Sequence, residues 1–351
     1  MNYIWSKKSL LQFIESSINK VVKEKNYSFS DLFAWTWIIW KHFKEKGHKV
    51  ISNDLQYYSF VLNKNYIENH KELEFKWLFK TIDNLESIEL SKRKEEVLKY
   101  LDWLKEKKGF IYKNYSLWWT KEQRYQRLYF SDENSIKCDT IRIKIEKWNK
   151  EKSINKKEYY FLIASLLESI DKVANTASIY GSFLKELKRS ARKKMSLESA
   201  EFFLNDNEHK VYNCDTNELV KRTSHDVVYL DPPYNERQYS ANYHLLETIS
   251  RYDNPKIRWK TWLRDYSKQR SLYCKKSKVK KSFKELISNI DAKYIFLSYN
   301  NEGLMSFEDI KEIMSKRWEY WVFKKRYKRF KSSKASKSSI VTEYLHYVVV
   351  E

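Results

Sequence analysis

The sequence predicts an α/β fold: an open, Rossmann-like sheet interrupted by a helical segment. Three observations carry that expectation. The run Val227-Val228-Tyr229-Leu230 is apolar and β-branched or aromatic, as in a strand covered on both faces, and Asp231-Pro232-Pro233-Tyr234 stops it abruptly. A strand and loop over Ser28–Trp37, a helical pattern from about Ile38 to Lys46 and a strand Val50–Asn53 ending at Asp54 form a nucleotide-type half-fold. From about Ile67 to Lys152 the pattern turns helical and charged. The expected organisation is therefore one α/β domain, residues 1–66 with 153–351, and a helical domain, residues 67–152.

Composition narrows the class. A chain of 351 residues with 42% hydrophobic content can build one large domain and a smaller one. Aromatic content of 17% argues against disorder. A net charge of +22 points to a polyanionic partner, since Lys and Arg release counterions when they meet phosphates. Cys138, Cys214 and Cys274 lie far apart without metal spacing, so no metal centre and a reduced, cytoplasmic chain are expected. No apolar run approaches the roughly 20 residues a membrane helix needs, and no signal peptide is visible, so no membrane is expected as a partner.

Taken in order, the chain opens on Tyr3–Leu11 and a helical pattern through Val22. Asp54 reads either as a helix cap or, at the carboxyl edge of a parallel sheet, as a ligand for ribose hydroxyls. In the helical segment, Tyr112–Tyr115 and Arg124-Tyr125-Gln126-Arg127 interleave basic, amide and aromatic groups, suited either to base edges or to solvent. Tyr160–Leu167 reads as a buried helix and Val211–Asp215 as a third short strand. After the central strand, Arg237, Gln238 and Tyr239 hold the turn or grip a nucleic-acid backbone, and His244 begins an amphipathic helix as a packed histidine. Arg264–Lys281 reads as a basic loop facing nucleic acid. Tyr294–Asn300 is a further buried strand, Phe307–Arg317 a helix, and Tyr327–Phe330 with Glu343–Val350 a closing hairpin around the Ser- and Lys-rich Lys331–Ser339.

The chemistry sits at the proline corner. Pro232 and Pro233 fix φ and cannot donate, so the Asp231 carboxylate and the Pro232 carbonyl form a rigid pair of acceptors beside the Tyr234 ring. An exocyclic amine delocalised into an aromatic ring is a poor nucleophile. If each acceptor takes one of its hydrogens, the nitrogen can move towards tetrahedral geometry and attack an electrophilic methyl group while the base, swung out of its duplex, stacks on Tyr234. A Pro-terminated core strand with a capping Asp is the alternative reading.

These residues, with the blocks Tyr3–Ile14, Ser28–Lys64, Gly109–Trp148, Tyr159–Lys194 and Val211 to the end, resemble the alpha-class DNA adenine-N(6) methyltransferases. The resemblance implies a methyltransferase sheet with a target-recognition insertion, S-adenosyl-L-methionine as cofactor and double-stranded DNA as substrate. It implies catalytic roles for Asp231, Pro232 and Tyr234 and cofactor contacts from Tyr3, Lys7, Asp31, Phe33, Ala34, Asp54, Asp215 and Asp231. Arg124, Arg127, Arg237, Tyr239 and Arg264 are the expected DNA contacts. A monomer working beside a companion restriction endonuclease completes the expectation. A cytosine or glutamine amine as acceptor would ordinarily bring Ser or Asn in place of Asp231.

One departure stands out. Glycine occurs 4 times, where average usage of about 7% would give roughly 25, while Trp occurs 13 times. Trp35 and Trp37 stand where the resemblance calls for Phe-Ala-Gly-Thr-Gly, Trp5, Trp118, Trp119, Trp259 and Trp262 occupy comparable places, and Trp40, Trp77, Trp103, Trp318 and Trp321 also sit where a turn or small residue would be unsurprising. The expectation is that these are UGA codons meant as glycine, with Trp148 a true tryptophan. Real tryptophans would instead make the chain an inactive, DNA-binding relative.

Overall fold

The computed structural model describes residues 7–35, 37–122, 126–258, 260–261, 263–316, 318–328 and 340–350. Tyr3, Trp5, Arg124, Trp259, Trp262 and the stretch 331–339, all singled out above, lie outside the described residues. The chain forms two compact units, one over Tyr3–Asn63, Asn207–Gln238 and Lys268–Glu351, the other over Lys64–Asp206 and Tyr239–Ser267.

The first unit is built on a seven-stranded sheet. Its strands lie in the order Lys210–Tyr212, Lys49–Asn53, Ser28–Asp31, Ser224–Leu230, Asp291–Asn300, Ile340–Val349, Tyr320–Lys328. The first five run parallel, and Ile340–Val349 is antiparallel to both its neighbours. The order reverses between Ser28–Asp31 and Ser224–Leu230, the kind of switch point beside whose carboxyl ends open α/β sheets hold ligands.

Residue choice follows from burial on both faces. On one, Val228, Leu230, Ile295 and Leu297 meet Val279, Phe283, Leu286 and Ile287, spaced to form one stripe of the helix Lys276–Asn289. Elsewhere in the unit Phe29 stacks on Phe43 of the helix Ile38–Glu45, with centroids 3.7 Å apart and planes 9° from parallel. Each such side chain contributes about 1.5–3 kcal/mol by leaving water. The closing hairpin is present, but its first strand begins at Tyr320, well before the expected Tyr327, because Val322 and Phe323 pair with His346 and Leu345. The expected basic loop over Arg264–Lys281 is shorter than predicted: Tyr273, Cys274 and Val279 are core residues and a helix starts at Lys276.

The second unit is helical, with the helices Leu90–Asp102, Phe110–Tyr115, Asp132–Lys150, Lys156–Lys172 and His244–Arg251 and a two-residue ladder of Ile257–Arg258 with Leu263–Arg264. It takes in more of the chain than residues 67–152, because Lys156–Lys172 packs on Asp132–Lys150 and His244–Arg251 packs on Lys156–Lys172. Ser131 caps one of the long helices, and a capping box of Asn155 and Glu158 starts the other. Arg142, fully buried, donates from Nε to Ile249 O and from Nη2 to Ser250 O, each at 2.8 Å, which satisfies carbonyls at a helix C-terminus with a cation.

Asp139 anchors the start of Phe110–Tyr115. Its carboxylate accepts from the backbone N–H groups of Gly109, Ile111 and Tyr112 at 2.8–2.9 Å and from the Tyr252 hydroxyl at 2.7 Å. The approach at Gly109 leaves no room for a side chain, since a Cβ there would lie 2.5 Å from the Tyr252 hydroxyl. Replacing Asp139 with Ala strands these donors at roughly 1–3 kcal/mol for each buried group left unsatisfied. The urea midpoint should fall well below that of the parent; an unchanged midpoint would remove Asp139 from this role.

Candidate active site

The strand ends bring four acids to one edge of the sheet. Asp31 is the last residue of its strand, Asp54 follows Asn53, Asp215 follows the short strand Lys210–Tyr212, and Asp231 follows Leu230. All four belong to the sheet unit. Asp31 is 2% exposed and Asp54 7%. Burial pushes the Asp31 carboxyl well above its usual range, and the neighbouring charges of Asp231 and Asp54 push the same way.

Asn53 ties these ends together, and sequence reading passed over it. Its Nδ2 donates to Cys214 O and Thr216 Oγ1, both at 3.1 Å, and its Oδ1 accepts from Cys214 N at 3.2 Å. Thr216 Oγ1 in turn donates to Leu32 O at 2.9 Å. The loop after Asp31 is held by the same edge: Ala34 N donates to Asn53 O at 3.0 Å, and Asn63 Nδ2 donates to Ala34 O at 3.2 Å. Phe33 sets its edge on the Tyr273 ring, with centroids 5.1 Å apart. Trp35 turns its indole N–H onto the Tyr58 hydroxyl at 2.8 Å.

Asp54 closes a local turn by accepting from Gln56 N at 2.7 Å. Asp215, exposed, accepts from Asn217 N at 2.9 Å and caps the short helix Thr216–Leu219. The helix cap considered for Asp54 thus falls to Asp215 instead. Neither contact uses up a carboxylate, which has about four lone-pair sites.

Lys7 lies against Asp231. Its ammonium is 3.3 Å from Asp231 Oδ1, 2.6 Å from Glu343 Oε1 and 5.4 Å from the centre of the Tyr234 ring. Glu343, on the antiparallel strand Ile340–Val349, is wholly buried; its Oε1 also accepts from Ser298 Oγ at 2.6 Å and its Oε2 from the Tyr327 hydroxyl at 3.3 Å. Burial works against the Lys7 charge, but Asp231 and Glu343, helped by Tyr234 and Tyr229, outweigh it and hold its pKa well above the ordinary lysine value. Burial pushes Asp231 up to about 6, while Lys7 pulls it down and Glu343 pushes it further up.

Glu343 carried no signal in the sequence. It is one acid among many, 112 positions after Asp231, and only the pairing of Ser298 with Leu345 and of Asn300 with Glu343 across two strands brings it here.

The turn beyond Asp231 is rigid for reasons besides its prolines. Asn235 Oδ1 accepts from Arg237 N at 3.0 Å, and Gln238 exchanges two hydrogen bonds with the Ser271 backbone at 2.9 and 3.1 Å. Tyr234 meets Tyr299 edge-on, with centroids 6.1 Å apart. Pro232 is buried and Arg237 is exposed. Tyr239 begins a short helix in the helical unit. Arg127 is 2% exposed, and Arg264, 8% exposed, makes a two-pronged pair with Asp253 at 3.1 and 2.7 Å, so the structure buries two arginines that the sequence reading placed on nucleic acid. His244 is a packed histidine: its Nε2 donates to Tyr180 O at 2.8 Å, and burial pulls its pKa down to about 4.

In chemical terms the edge offers four buried or half-buried carboxylates, Asp31, Asp54, Asp231 and Glu343, against one ammonium, with two acceptors fixed at a proline corner and an aromatic face. That donor set fits a cationic, hydroxyl-bearing ligand, because Asp31 and Asp54 gain a positive neighbour and hydrogen-bond donors to accept from. Among the described residues no group of His, Cys, Asp and Glu could hold a metal ion, and no helix is long and apolar enough to cross a membrane.

Residues 3–313 match the family described as D12 class N6 adenine-specific DNA methyltransferase. The type II methyltransferase M.NlaIII of Neisseria lactamica is 46% identical over 329 residues, covering 93% of this chain and 91% of that protein. The type II methyltransferase M.CviAII of Paramecium bursaria Chlorella virus 1 is 33% identical, covering 100% and 99%. The type II methyltransferase M.FokI of Planomicrobium okeanokoites is 36% identical across 99% of this chain, which spans only 52% of M.FokI.

The buried cluster makes a prediction that does not depend on turnover. Carboxyl-carbon NMR should place the Asp231 midpoint near pH 6, and Lys7→Met should move it upward. Because the unfolded value is about 3.9, Asp231 favours the folded state below about pH 4, and that contribution is lost as pH rises through about 6. A midpoint at the unfolded value would show that Asp231 is not in this environment.

Proposed function

The chain belongs to the D12 class of N6 adenine-specific DNA methyltransferases, and from that premise we propose that the acid-rich sheet edge moves a methyl group from S-adenosyl-L-methionine to an adenine turned out of double-stranded DNA. The observation that carries the proposal is the placement of Asp231, on its proline corner and beside Lys7, at the point where the strand order reverses. When bound, S-adenosyl-L-methionine supplies a methyl group on a positively charged sulfur.

The chain's own residues divide the remaining work. Asp231 and the Pro232 carbonyl each accept one hydrogen of the adenine amine, which frees the nitrogen lone pair for attack, and Tyr234 carries the base on its ring face. Asp54 accepts from ribose hydroxyls, Phe33 and Asp215 border the cofactor's adenine, and Asp31 and Ala34 line its approach. Tyr3 keeps the contact with the methionine end that the resemblance implies. Lys7, with two carboxylates on its ammonium, also balances Asp231, and its third N–H leaves room for the contact with the methionine end that the resemblance implies.

The helical unit is the target-recognition part in this reading. Arg237 is exposed beside the catalytic turn and suits a phosphate, and Tyr239 follows it in sequence. Arg124 retains its assignment as a base-edge contact. Arg127 and Arg264, being buried, act by shaping that unit. Relatives named as type II methyltransferases and modification methylases support a place in a restriction-modification system; a companion endonuclease, a monomeric state and a cytoplasmic location are part of the same proposal.

The tryptophans belong to the same proposal. Trp77, Trp103, Trp118 and Trp119 are 54%, 88%, 64% and 50% exposed, an unusual use of so large an apolar ring, whereas Trp148 is buried against Tyr100. Decoding twelve of the 13 as glycine would raise the glycine count from 4 to 16. Trp40, buried in its helix, fits that reading least. Sequencing the gene tests it: UGG at Trp35, Trp37, Trp118 and Trp119 ends the idea.

Methylation of plasmid DNA by protein decoded as its host reads the gene, followed by mapping of modified bases, should report N(6)-methyladenine at one short sequence. Asp231→Ala should lower the rate by about 10²–10⁴-fold. Modified cytosine, or an undiminished Asp231→Ala rate, would overturn the proposal.

A further inference from the structure

Lys7 sits closer to Glu343 than to Asp231, at 2.6 Å against 3.3 Å. Glu343 is in turn fixed from two sides, by Ser298 Oγ on the adjacent strand Asp291–Asn300 and by the Tyr327 hydroxyl on Tyr320–Lys328. A buried carboxylate with three donors on it is firmly placed, and the ammonium stands closer to it than to Asp231, whose contact with Lys7 is the longer of the two. The distinction matters for an acceptor. An Asp231 clamped in a tight ion pair would have its lone pairs occupied and its basicity reduced, whereas one with its cation held back keeps both for a substrate amine.

We infer that Glu343 is a positioning residue for methyl transfer, which acts through Lys7 by holding the ammonium off Asp231 and so keeping Asp231 a strong acceptor. The inference rests on the reading of Asp231 as the acceptor of the adenine amine. The charged and titratable groups around the cluster are Lys7, Asp231, Glu343, Tyr229, Tyr234 and Tyr327, with Asp31 facing Asp231. Glu343 acts on Asp231 in the direction opposite to Lys7: the acid raises the Asp231 pKa and the ammonium lowers it. Removing either therefore displaces the Asp231 titration in opposite senses, which a residue that merely packs would not do.

The test compares pH profiles of kcat for plasmid methylation with the whole chain made as its host reads the gene. Glu343→Gln should lower the plateau kcat at least tenfold and move the acid limb below its parental position, with KM for DNA and for S-adenosyl-L-methionine changed less than threefold. Lys7→Met should move the limb up. Glu343→Asp should return the limb towards the parental position, and Ser298→Ala, which leaves the acid in place but loosens it, should give an intermediate profile and serves if Glu343→Gln does not fold. An Asp231→Asn variant runs alongside. If Asp231→Asn is as active as the parent, the reading of the site fails. If Asp231→Asn is inactive while folded Glu343→Gln or Ser298→Ala retains the parental limb and kcat, the role of Glu343 alone is overturned.

Discussion

The constraint on which this site depends is one buried ammonium shared by two carboxylates. Lys7 is 4% exposed and Glu343 fully buried, so neither charge can be satisfied by water. Two acids against one base leave a net negative cluster, tolerable because Ser298 and Tyr327 donate to Glu343 and because Asp231 keeps partial access to solvent. The sheet supplies the means. Lys7 precedes the helix Leu11–Val21, Asp231 follows the parallel strand Ser224–Leu230, and Glu343 comes from an antiparallel strand two places along, so the cluster exists only when distant parts of the chain are in register.

The same sheet edge explains why acids gather on one side of the unit. Parallel strands deliver their carboxyl ends to one side, and three of them finish on or beside an aspartate. Asn53 and Thr216 bind these ends to one another, so the acids are held at fixed spacing despite their mutual repulsion. That repulsion contributes to the raised pKa of Asp31. The result is a rigid edge with more carboxylates than cations to neutralise them.

The helical unit solves a different problem. It spends its buried charges on its own construction: Asp139 on the start of one helix, Arg142 on the end of another, Arg264 on Asp253. A basic sequence therefore misleads about surface. Arg127 and Arg264 sit among aromatic and basic residues that read as a nucleic-acid face, yet both are inside; Arg264 forks onto both oxygens of Asp253, a geometry open to a guanidinium and not to a lysine.

The sequence by itself determined the parts that depend on local pattern. An apolar run cut off by Asp231 and two prolines, a strand-helix-strand half-fold ending at Asp54, and the buried strand Tyr294–Asn300 are periodicities and stops, and they appear where they were expected. So did the acids at the strand ends, since a parallel sheet fixes which edge they share. What only the tertiary structure decided is everything set by pairing between distant segments. The Ser298–Leu345 and Asn300–Glu343 register brings Glu343 beneath Lys7, Lys7 turns to Asp231, and helix packing draws Lys156–Lys172 into the helical unit. No local pattern encodes these, because a charged residue looks the same in sequence whether it meets solvent or a partner many positions away.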